Sequence, residues 1–146
     1  MLNMGIINHI PIIVAVQAAG SSNLIDNIGQ QEFVSTPSHT LADSISVDIP
    51  RNFRMAANFI TKYYGQTVTV TDDEILKASS FLAKNTGIFT EPAAAAAFAG
   101  FLDYKNRYLI PKGSTNVVLL TGSGLKDLNA IQSLFEIPQA VSSDMA

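Results

Sequence analysis

The chain has 146 residues, 47% hydrophobic and 14% charged, a balance that is ordinary for one globular domain. A net charge of −3 and the lack of any lysine or arginine cluster argue against a nucleic-acid surface, because no stripe of cations is available to face phosphates. Cysteine is absent, and His9 and His39 have no acidic or histidine neighbours at ligand spacing, so we expect neither disulfides nor a metal site.

The first segment, Leu2–His9, has the apolar residues of a helix end but no capping residue before them, which predicts that further chain precedes it. Pro11 then leads into Ile12–Gln17, a continuous apolar run typical of a buried strand. The surrounding apolar stretch, Ile10–Ala19, is too short to span a membrane and lacks the cationic region of a signal peptide. We therefore expect a cytoplasmic protein without membrane contact.

The next four segments alternate between helix, loop and strand patterns. Leu24–Phe33 has apolar residues at helical spacing and predicts a helix. Ser35–Asp48 is rich in residues that favour side-chain to backbone bonds, so we expect an ordered loop or a domain crossing. Asn52–Tyr64 predicts an amphipathic helix that covers a sheet, and Gln66–Val70 alternates valine with threonine and predicts a strand.

Two further helices follow. Thr71 and Glu74 form a capping-box pattern that opens a helix running to about Lys84. Pro92–Tyr104 predicts the other helix, because proline suits the first turn and alanine is the best helix former. An alanine face lets the helix backbone approach a sheet or a ligand closely, which would place Glu91 beside whatever packs there. Alternatively, Glu91 only favours the positive end of the helix dipole.

The segment Asn116–Leu120 is apolar and β-rich, and it predicts a central strand of a parallel sheet. Thr121–Gly124 places hydroxyls and glycines at the carboxyl end of that strand, where ligands bind in open α/β sheets. A helix is predicted near Asp127–Phe135, and Glu136–Ala146 is predicted to be a loose tail after a domain of residues 1–135. The alternation of strands and helices predicts a three-layer α/β fold with a mostly parallel sheet flanked by helices.

Four groups of residues recur in a specific order and spacing: Leu41–Val47 with Pro50–Asn52, Thr71–Ile75, Gly87–Ala93 and Leu120–Asp127. Together they resemble the carboxyl-terminal part of the threonine synthase family. These are type II pyridoxal-phosphate enzymes, of the tryptophan-synthase-β kind, that convert O-phosphohomoserine and water to threonine and phosphate. The resemblance implies that fold, that activity, and pyridoxal phosphate as the cofactor of the complete enzyme.

The resemblance also implies roles for residues in the cofactor site. It places the Thr121 hydroxyl at the pyridine nitrogen and identifies Glu91 with the acidic residue that approaches the cofactor ring. Gly122 and Ser123 belong to the same cofactor-binding turn, although relatives vary at the position of Ser123. Many relatives have serine where this chain has Ala94, so a polar contact at that position is not carried over.

For the substrate side the resemblance implies only two residues, and for the covalent chemistry it implies none. Ser44 and Arg51 lie in a segment that resembles a substrate-side loop. In the family, the Schiff-base lysine and the glycine-rich phosphate loop precede the region that this chain matches, and no lysine here has a family match to them. We therefore assign no catalytic residue, and we expect Lys126 to cap or pair rather than to bond the cofactor.

These absences predict that the chain alone binds no cofactor and has no activity. The expected partners are the upstream half of the same enzyme and a small-molecule amino-acid substrate. An uncovered sheet edge and apolar face would also favour self-association. Three alternatives stay open: part of a threonine or serine dehydratase-like enzyme, a small anion-binding module that uses Thr121–Gly124, and an interaction module without a ligand.

Overall fold

The computed structural model describes residues 1–134, and its sheet consists of two parallel strands. β1 spans Val14–Ala18 and β2 spans Gln66–Val70, and the first residues of the two strands lie opposite each other. The prediction for β2 is confirmed over all of its residues, while β1 is shifted slightly toward the carboxyl terminus. A parallel sheet with helices packed beside it confirms the predicted α/β fold class.

The described residues also form four α-helices and several 3₁₀ turns. The α-helices are α1 (Asn23–Asn27), α2 (Phe53–Lys62), α3 (Asp72–Thr86) and α4 (Pro92–Asn106). Short 3₁₀ turns occupy Leu2–Met4, Asp43–Ile45, Gly124–Lys126 and Asn129–Leu134. Over this part of the chain, no helix has both the length and the apolar character that a membrane crossing requires.

The start of α3 is set by the predicted capping box. The Thr71 hydroxyl accepts a hydrogen bond from the Glu74 N–H at 3.3 Å, and the Glu74 carboxylate accepts one from the Thr71 N–H at 2.7 Å. Two N–H groups that the helix itself cannot pair are thereby satisfied. The helix ends at Gly87, whose φ of 72° is a left-handed conformation that favours glycine.

Small side chains let α4 pack closely on the sheet and on α3. The core consists of alanines and branched residues from these elements and from the loop before α2: Ala18, Ala42, Val70, Ile75, Ala78, Ala95, Ala96 and Ala99. A Cβ at Gly100 would lie 2.5 Å from Cγ2 of Val16 and 3.2 Å from Cγ1 of Val68. At Gly100 the helix therefore approaches the strands to a distance that leaves no room for a side chain, and Ala95 and Ala96 of the predicted alanine face pack in the same core as Ala18 and Val70.

The prediction that Asn116–Leu120 is a central strand is wrong. These residues belong to no strand, and the side chains of Val117 and Leu119 are 80% and 71% exposed. A strand is defined by its ladder of hydrogen bonds to a neighbour, and no described strand pairs with this segment. The apolar, β-branched composition favours extended backbone, but the pairing depends on a neighbour that composition cannot supply.

Three predicted helices are shorter than expected. Leu2–His9 forms only a single 3₁₀ turn, and the helix predicted for Leu24–Phe33 stops at Asn27 because Gly29 turns the chain with a φ of 82°. The helix predicted near Asp127–Phe135 is a 3₁₀ turn, Asn129–Leu134, in the part of that segment that the structure describes. The predicted tail, Glu136–Ala146, lies outside the described residues.

The loop between α1 and α2 is ordered by side chains that lie outside it, which confirms the prediction of an ordered loop. Asn23 is 1% exposed, donates to the carbonyls of Thr36 and Val47, and accepts from the Thr36 N–H at 2.8 Å. Asp72, in the first turn of α3, accepts from the Leu41 N–H at 3.0 Å and from the Thr40 hydroxyl. These bonds pair main-chain groups in the parts of the loop that have no regular secondary structure.

Replacing Asn23 with alanine should lower the free energy of unfolding by roughly 2–3 kcal/mol, because buried partners lose their hydrogen bonds together. Chemical denaturation followed by circular dichroism measures this loss. Asn58→Ala is the matched control, since Asn58 is exposed on α2. Equal losses for the two variants would show that Asn23 does not hold the loop.

Candidate functional site

The Thr121–Gly124 turn is joined to the start of α4 by backbone hydrogen bonds. The N–H of Glu91 donates to the Gly122 carbonyl at 3.2 Å, and the N–H of Gly124 donates to the Phe89 carbonyl at 3.0 Å. Between them, Thr90 and Ser123 form an isolated antiparallel bridge. The turn that the sequence predicts as a ligand site is therefore fixed to the amino end of a 15-residue helix.

A buried carboxylate lies at the centre of this junction. Glu91 is only 4% exposed, and its Oε1 and Oε2 lie 3.3 and 3.2 Å from Nζ of Lys126. The Ser44 hydroxyl donates to Oε2 at 3.4 Å. Glu91 is also the N-cap residue of α4, but its side chain makes no capping hydrogen bond. Its carboxylate therefore pairs with Lys126 and Ser44, and the expectation that Lys126 pairs is confirmed.

Two glycines create the space for this arrangement. A Cβ at Gly122 would lie 1.8 Å from Oε1 of Glu91, so the carboxylate lies directly against the bare backbone of the turn. A Cβ at Gly124 would lie 2.6 Å from the Phe89 ring. At both positions a side chain would have to displace Glu91 or Phe89, so the glycines are favoured by close approach rather than by backbone conformation.

The predicted site residues are only partly brought together. Glu91, Gly122 and Ser44 meet as described, and Thr121 and Ser123 follow on the exposed side of the same turn. The Ser123 hydroxyl accepts from the Leu125 N–H at 3.3 Å and so caps the following turn. Arg51 is exposed, and no hydrogen bond or ion pair joins it to the rest of residues 1–134. The cofactor and substrate roles of these residues stay predictions.

Thr90 is a residue of this junction that the sequence did not single out. It is buried, its carbonyl accepts from the Ser79 hydroxyl at 3.2 Å, and its own hydroxyl has no hydrogen-bond partner within the described part of the chain. Nothing in the sequence around Thr90 distinguishes it, because its burial results from the bridge to a turn more than thirty residues away.

Comparison with known proteins identifies the family. The model of the family described as "Pyridoxal-phosphate dependent enzyme" matches residues 3–122, which include both strands and α1 to α4. This chain belongs to the pyridoxal-phosphate-dependent enzyme family. The match ends within the Thr121–Gly124 turn.

Several curated proteins that resemble the chain are named threonine synthase. The protein from Synechocystis sp. is 41% identical over 120 residues, which cover 82% of this chain and 30% of the relative. The protein from Mycobacterium leprae is 37% identical over 84% of this chain and 33% of its own length, and that from Methanocaldococcus jannaschii is 32% identical over 97% and 36%. The chain thus spans about a third of the length of these relatives, and its resemblance to threonine synthases is confirmed.

Two solved structures show the same fold. The L-serine ammonia-lyase of the fungus Rhizomucor miehei aligns with a TM-score of 0.71 and 21% identity, over 90% of this chain and 42% of that chain. Maize serine racemase aligns with a TM-score of 0.64 and 18% identity, over 84% and 38%. At these identities the likeness is one of fold.

The described residues fit one part of pyridoxal phosphate. Thr121 is exposed beside the bare backbone of Gly122, and a neutral hydroxyl is able to hydrogen-bond a pyridine nitrogen. A phosphate group needs converging N–H groups or free cations, whereas Lys126 is already paired with Glu91. Among residues 1–134, the Thr121 hydroxyl therefore suits the ring nitrogen of the cofactor. The cofactor phosphate needs donors other than Lys126.

Replacing Lys126 with methionine should lower the free energy of unfolding by roughly 1–2 kcal/mol, because the buried Glu91 carboxylate loses its counter-ion while Lys126 itself is largely exposed. Lys112→Met is the control, since Lys112 is exposed and pairs with no described acid. The double variant Glu91→Gln with Lys126→Met should recover part of the loss, because no buried charge remains. A double variant that is no more stable than Lys126→Met would contradict this account.

Proposed function

We propose that this chain is the part of a threonine synthase that forms the ring-nitrogen side of the cofactor site. The complete enzyme would convert O-phosphohomoserine and water to threonine and phosphate. The observation that carries the proposal is the junction of the Thr121–Gly124 turn with Glu91, Lys126 and Ser44. The identity of 32–41% to curated threonine synthases supports this substrate class over those of other family members.

Each residue of the junction has a task in this proposal. When bound, pyridoxal phosphate supplies the electron sink for bond breaking at the substrate amino acid. Thr121 orients the ring nitrogen through a neutral hydrogen bond, and the pair of Glu91 with Lys126 holds the turn that carries it. Ser44 lies on the substrate side of this pair, and Arg51 serves the same side from the loop before α2.

The same proposal makes the isolated chain inactive. None of its lysines matches the family position that bonds the cofactor, and Lys126, the lysine at the site, is held by Glu91. The remainder of the enzyme would supply that lysine and the phosphate loop. We also propose the cytoplasm as the compartment in which the enzyme acts.

A chimera tests the function. The 120 matched residues of the Synechocystis threonine synthase are replaced by this chain, and phosphate release from O-phosphohomoserine is measured with the isolated chain as a negative control. We expect turnover by the chimera and none by the isolated chain. A folded chimera that releases no phosphate but releases ammonia from threonine or serine would assign the chain to a dehydratase instead.

A second measurement addresses the anion-binding alternative. Inorganic phosphate is titrated into the isolated chain by calorimetry, because a stand-alone module that uses the Thr121–Gly124 turn would bind it saturably. We expect no saturable binding, since the cation at this turn is neutralised by Glu91. Saturable binding that Thr121→Val or Lys126→Met removes would favour the binding module over the enzyme.

A further inference from the structure

Asp72, in the first turn of α3, holds the chain just before the 3₁₀ turn Asp43–Ile45 (the Ser44 turn). Its Oδ2 accepts from the Leu41 N–H at 3.0 Å, and its Oδ1 accepts from the Thr40 hydroxyl. The Thr40 oxygen in turn accepts from the Ala42 N–H at 3.2 Å. One carboxylate thereby fixes the three residues that lead into the Ser44 turn.

The Ser44 turn has little freedom to move on its own. Ala42, directly before it, is fully buried in the core together with alanines of α4. The Ile45 N–H closes the turn by donating to the Ala42 carbonyl at 3.0 Å. Because packed side chains and closed hydrogen bonds leave few free torsions, a displacement at Thr40 or Leu41 is passed on to the Ser44 turn.

Ser21 holds the other side of the Ser44 turn. Its hydroxyl donates to the Ile45 carbonyl and accepts from the Val47 N–H, both at 3.0 Å. Ser21 and Asp72 closely follow the ends of β1 and β2. These two strands are parallel and begin opposite each other, so both anchors come from one edge of the sheet, the carboxyl edge at which ligands bind in open α/β folds.

The position of the Ser44 turn matters at Glu91. The Ser44 hydroxyl donates to Oε2 of Glu91 at 3.4 Å, close to the longest distance that a hydrogen bond allows. A small displacement of Ser44 therefore breaks this bond. Within residues 1–134, no hydrogen bond or ion pair joins Asp72 to Glu91 directly, so the contacts between them run through the turn.

We infer that Asp72 is a positioning residue, which sets where the Ser44 hydroxyl lies beside Glu91 and thereby on the substrate side of the cofactor site. This inference rests on the proposed function for the task of Ser44. The competing role for Asp72 is to favour the positive end of the α3 dipole, as acidic residues in a first helical turn do. The two roles differ in whether the contacts with Thr40 and Leu41 matter.

Asp73 is the matched control for Asp72. It has the same charge and lies in the same first turn of α3, but it pairs with Lys77 at 2.6 Å instead of with the loop. Its side chain is 71% exposed. Both aspartates act on the same helix dipole, so a difference between their variants reports the contacts that only Asp72 makes.

The first test follows the Glu91 carboxylate of the full chain by carbon-13 NMR, with its signal assigned as the one that Glu91→Gln removes. Ser44→Ala gives the reference shift, because it removes the hydroxyl that donates to this carboxylate. We expect Asp72→Ala to move the signal in the same direction by roughly half as much or more, and the double variant to add little. Asp73→Ala should leave the signal in place. A Glu91 signal that either Ser44→Ala or Asp72→Ala leaves unchanged would overturn the inference.

Asp72→Asn separates hydrogen bonding from charge. Asparagine is able to accept from the Leu41 N–H through its amide oxygen and to donate to the Thr40 oxygen, but it has no charge. We expect Asp72→Asn to bring the Glu91 signal most of the way back to that of the parent chain. Signals equally displaced in Asp72→Asn and Asp72→Ala would show that only the charge matters, which contradicts positioning. Thr40→Val keeps that charge and should displace the signal as Asp72→Ala does, so a second variant is at hand if Asp72→Ala does not fold.

In the chimera, the same variants separate substrate binding from cofactor binding. Asp72→Ala should raise KM for O-phosphohomoserine by roughly fivefold, with a smaller change in kcat and with the cofactor retained on gel filtration. Asp72→Asn should raise KM less, and Asp73→Ala should not raise it. An active chimera in which Asp72→Ala leaves KM unchanged, or in which Asp73→Ala raises KM equally, would overturn the inference. An inactive parent chimera would reject the proposed function, while the Glu91 signal of the full chain still decides whether Asp72 positions Ser44.

Discussion

Replacing Gly20 with alanine is expected to lower the free energy of unfolding by roughly 3 kcal/mol, at the upper end of what overpacking costs. A Cβ at this position would lie 1.8 Å from the carbonyl oxygen of His39 and 2.9 Å from its carbonyl carbon. The His39 N–H also donates to the Gly20 carbonyl at 2.7 Å, which keeps the two backbones together. No flexible side chain can move to relieve this clash.

Gly29→Ala is the control for Gly20→Ala, because it introduces backbone strain without a steric clash. Gly29 has a φ of 82°, and no atom lies within 4 Å of the place that an alanine methyl would take, so alanine there should cost only about 1 kcal/mol. Urea denaturation of both variants measures the difference. If Gly20→Ala were at least as stable as Gly29→Ala, the backbones at Gly20 and His39 could not lie as close together as the structure has them.

The largest effect on activity is expected from Thr121 in the chimera. Under the proposed role, Thr121→Val would remove one neutral hydrogen bond to the ring nitrogen, which should weaken cofactor binding by roughly 0.5–1.5 kcal/mol and slow turnover with the cofactor still bound. Thr121→Asp places a charged acceptor at the ring nitrogen and favours its protonation, which changes the electron sink itself. We expect turnover to fall by roughly a hundredfold or more in this variant, with side products increased.

The readouts for Thr121 are phosphate release, product distribution by chromatography, and the cofactor retained after gel filtration. Thr69→Val is a control, because Thr69 is an exposed threonine on β2. Unchanged rate and product distribution in both Thr121 variants would remove Thr121 from the ring nitrogen. Loss of the cofactor from Thr121→Val would instead make this hydroxyl an anchor.

Local patterns predict the elements whose stability is local. The capping box at Thr71 and Glu74 and the proline before the alanines of α4 determine where those helices begin, and both begin as predicted. β2 is predicted over all five of its residues because its alternation matches a strand with one face under α4. At the two helix starts the sequence neighbours are also the structural partners, whereas β2 pairs with β1, which lies far earlier in the chain, and is predicted from its alternation alone.

Predictions fail where the partners are distant in sequence or absent from the described chain. Asn116–Leu120 has the composition of a strand, but a ladder needs a neighbour, and composition contains no information about one. The hydrogen bond of Ser44 to Glu91 spans 47 positions, and no local pattern predicts it. Asn23 resembles an ordinary turn residue, and only the folded loop reveals the bonds that it makes.

The loop between α1 and α2 takes its shape from residues outside it. Ser21, Asn23, Asn27 and Asp72 direct their hydrogen bonds to its main-chain groups, at residues 34, 36, 41, 45 and 47. Main-chain groups are the same for every residue except proline, so exchanging exposed side chains within the loop leaves these bonds intact. Inserting or deleting one residue moves each group away from its anchor. Apart from Asp48, whose carboxylate accepts from the Ser38 N–H within the loop, the exposed positions of this loop should therefore accept variation in identity, while the loop resists variation in length, the reverse of what surface loops usually show.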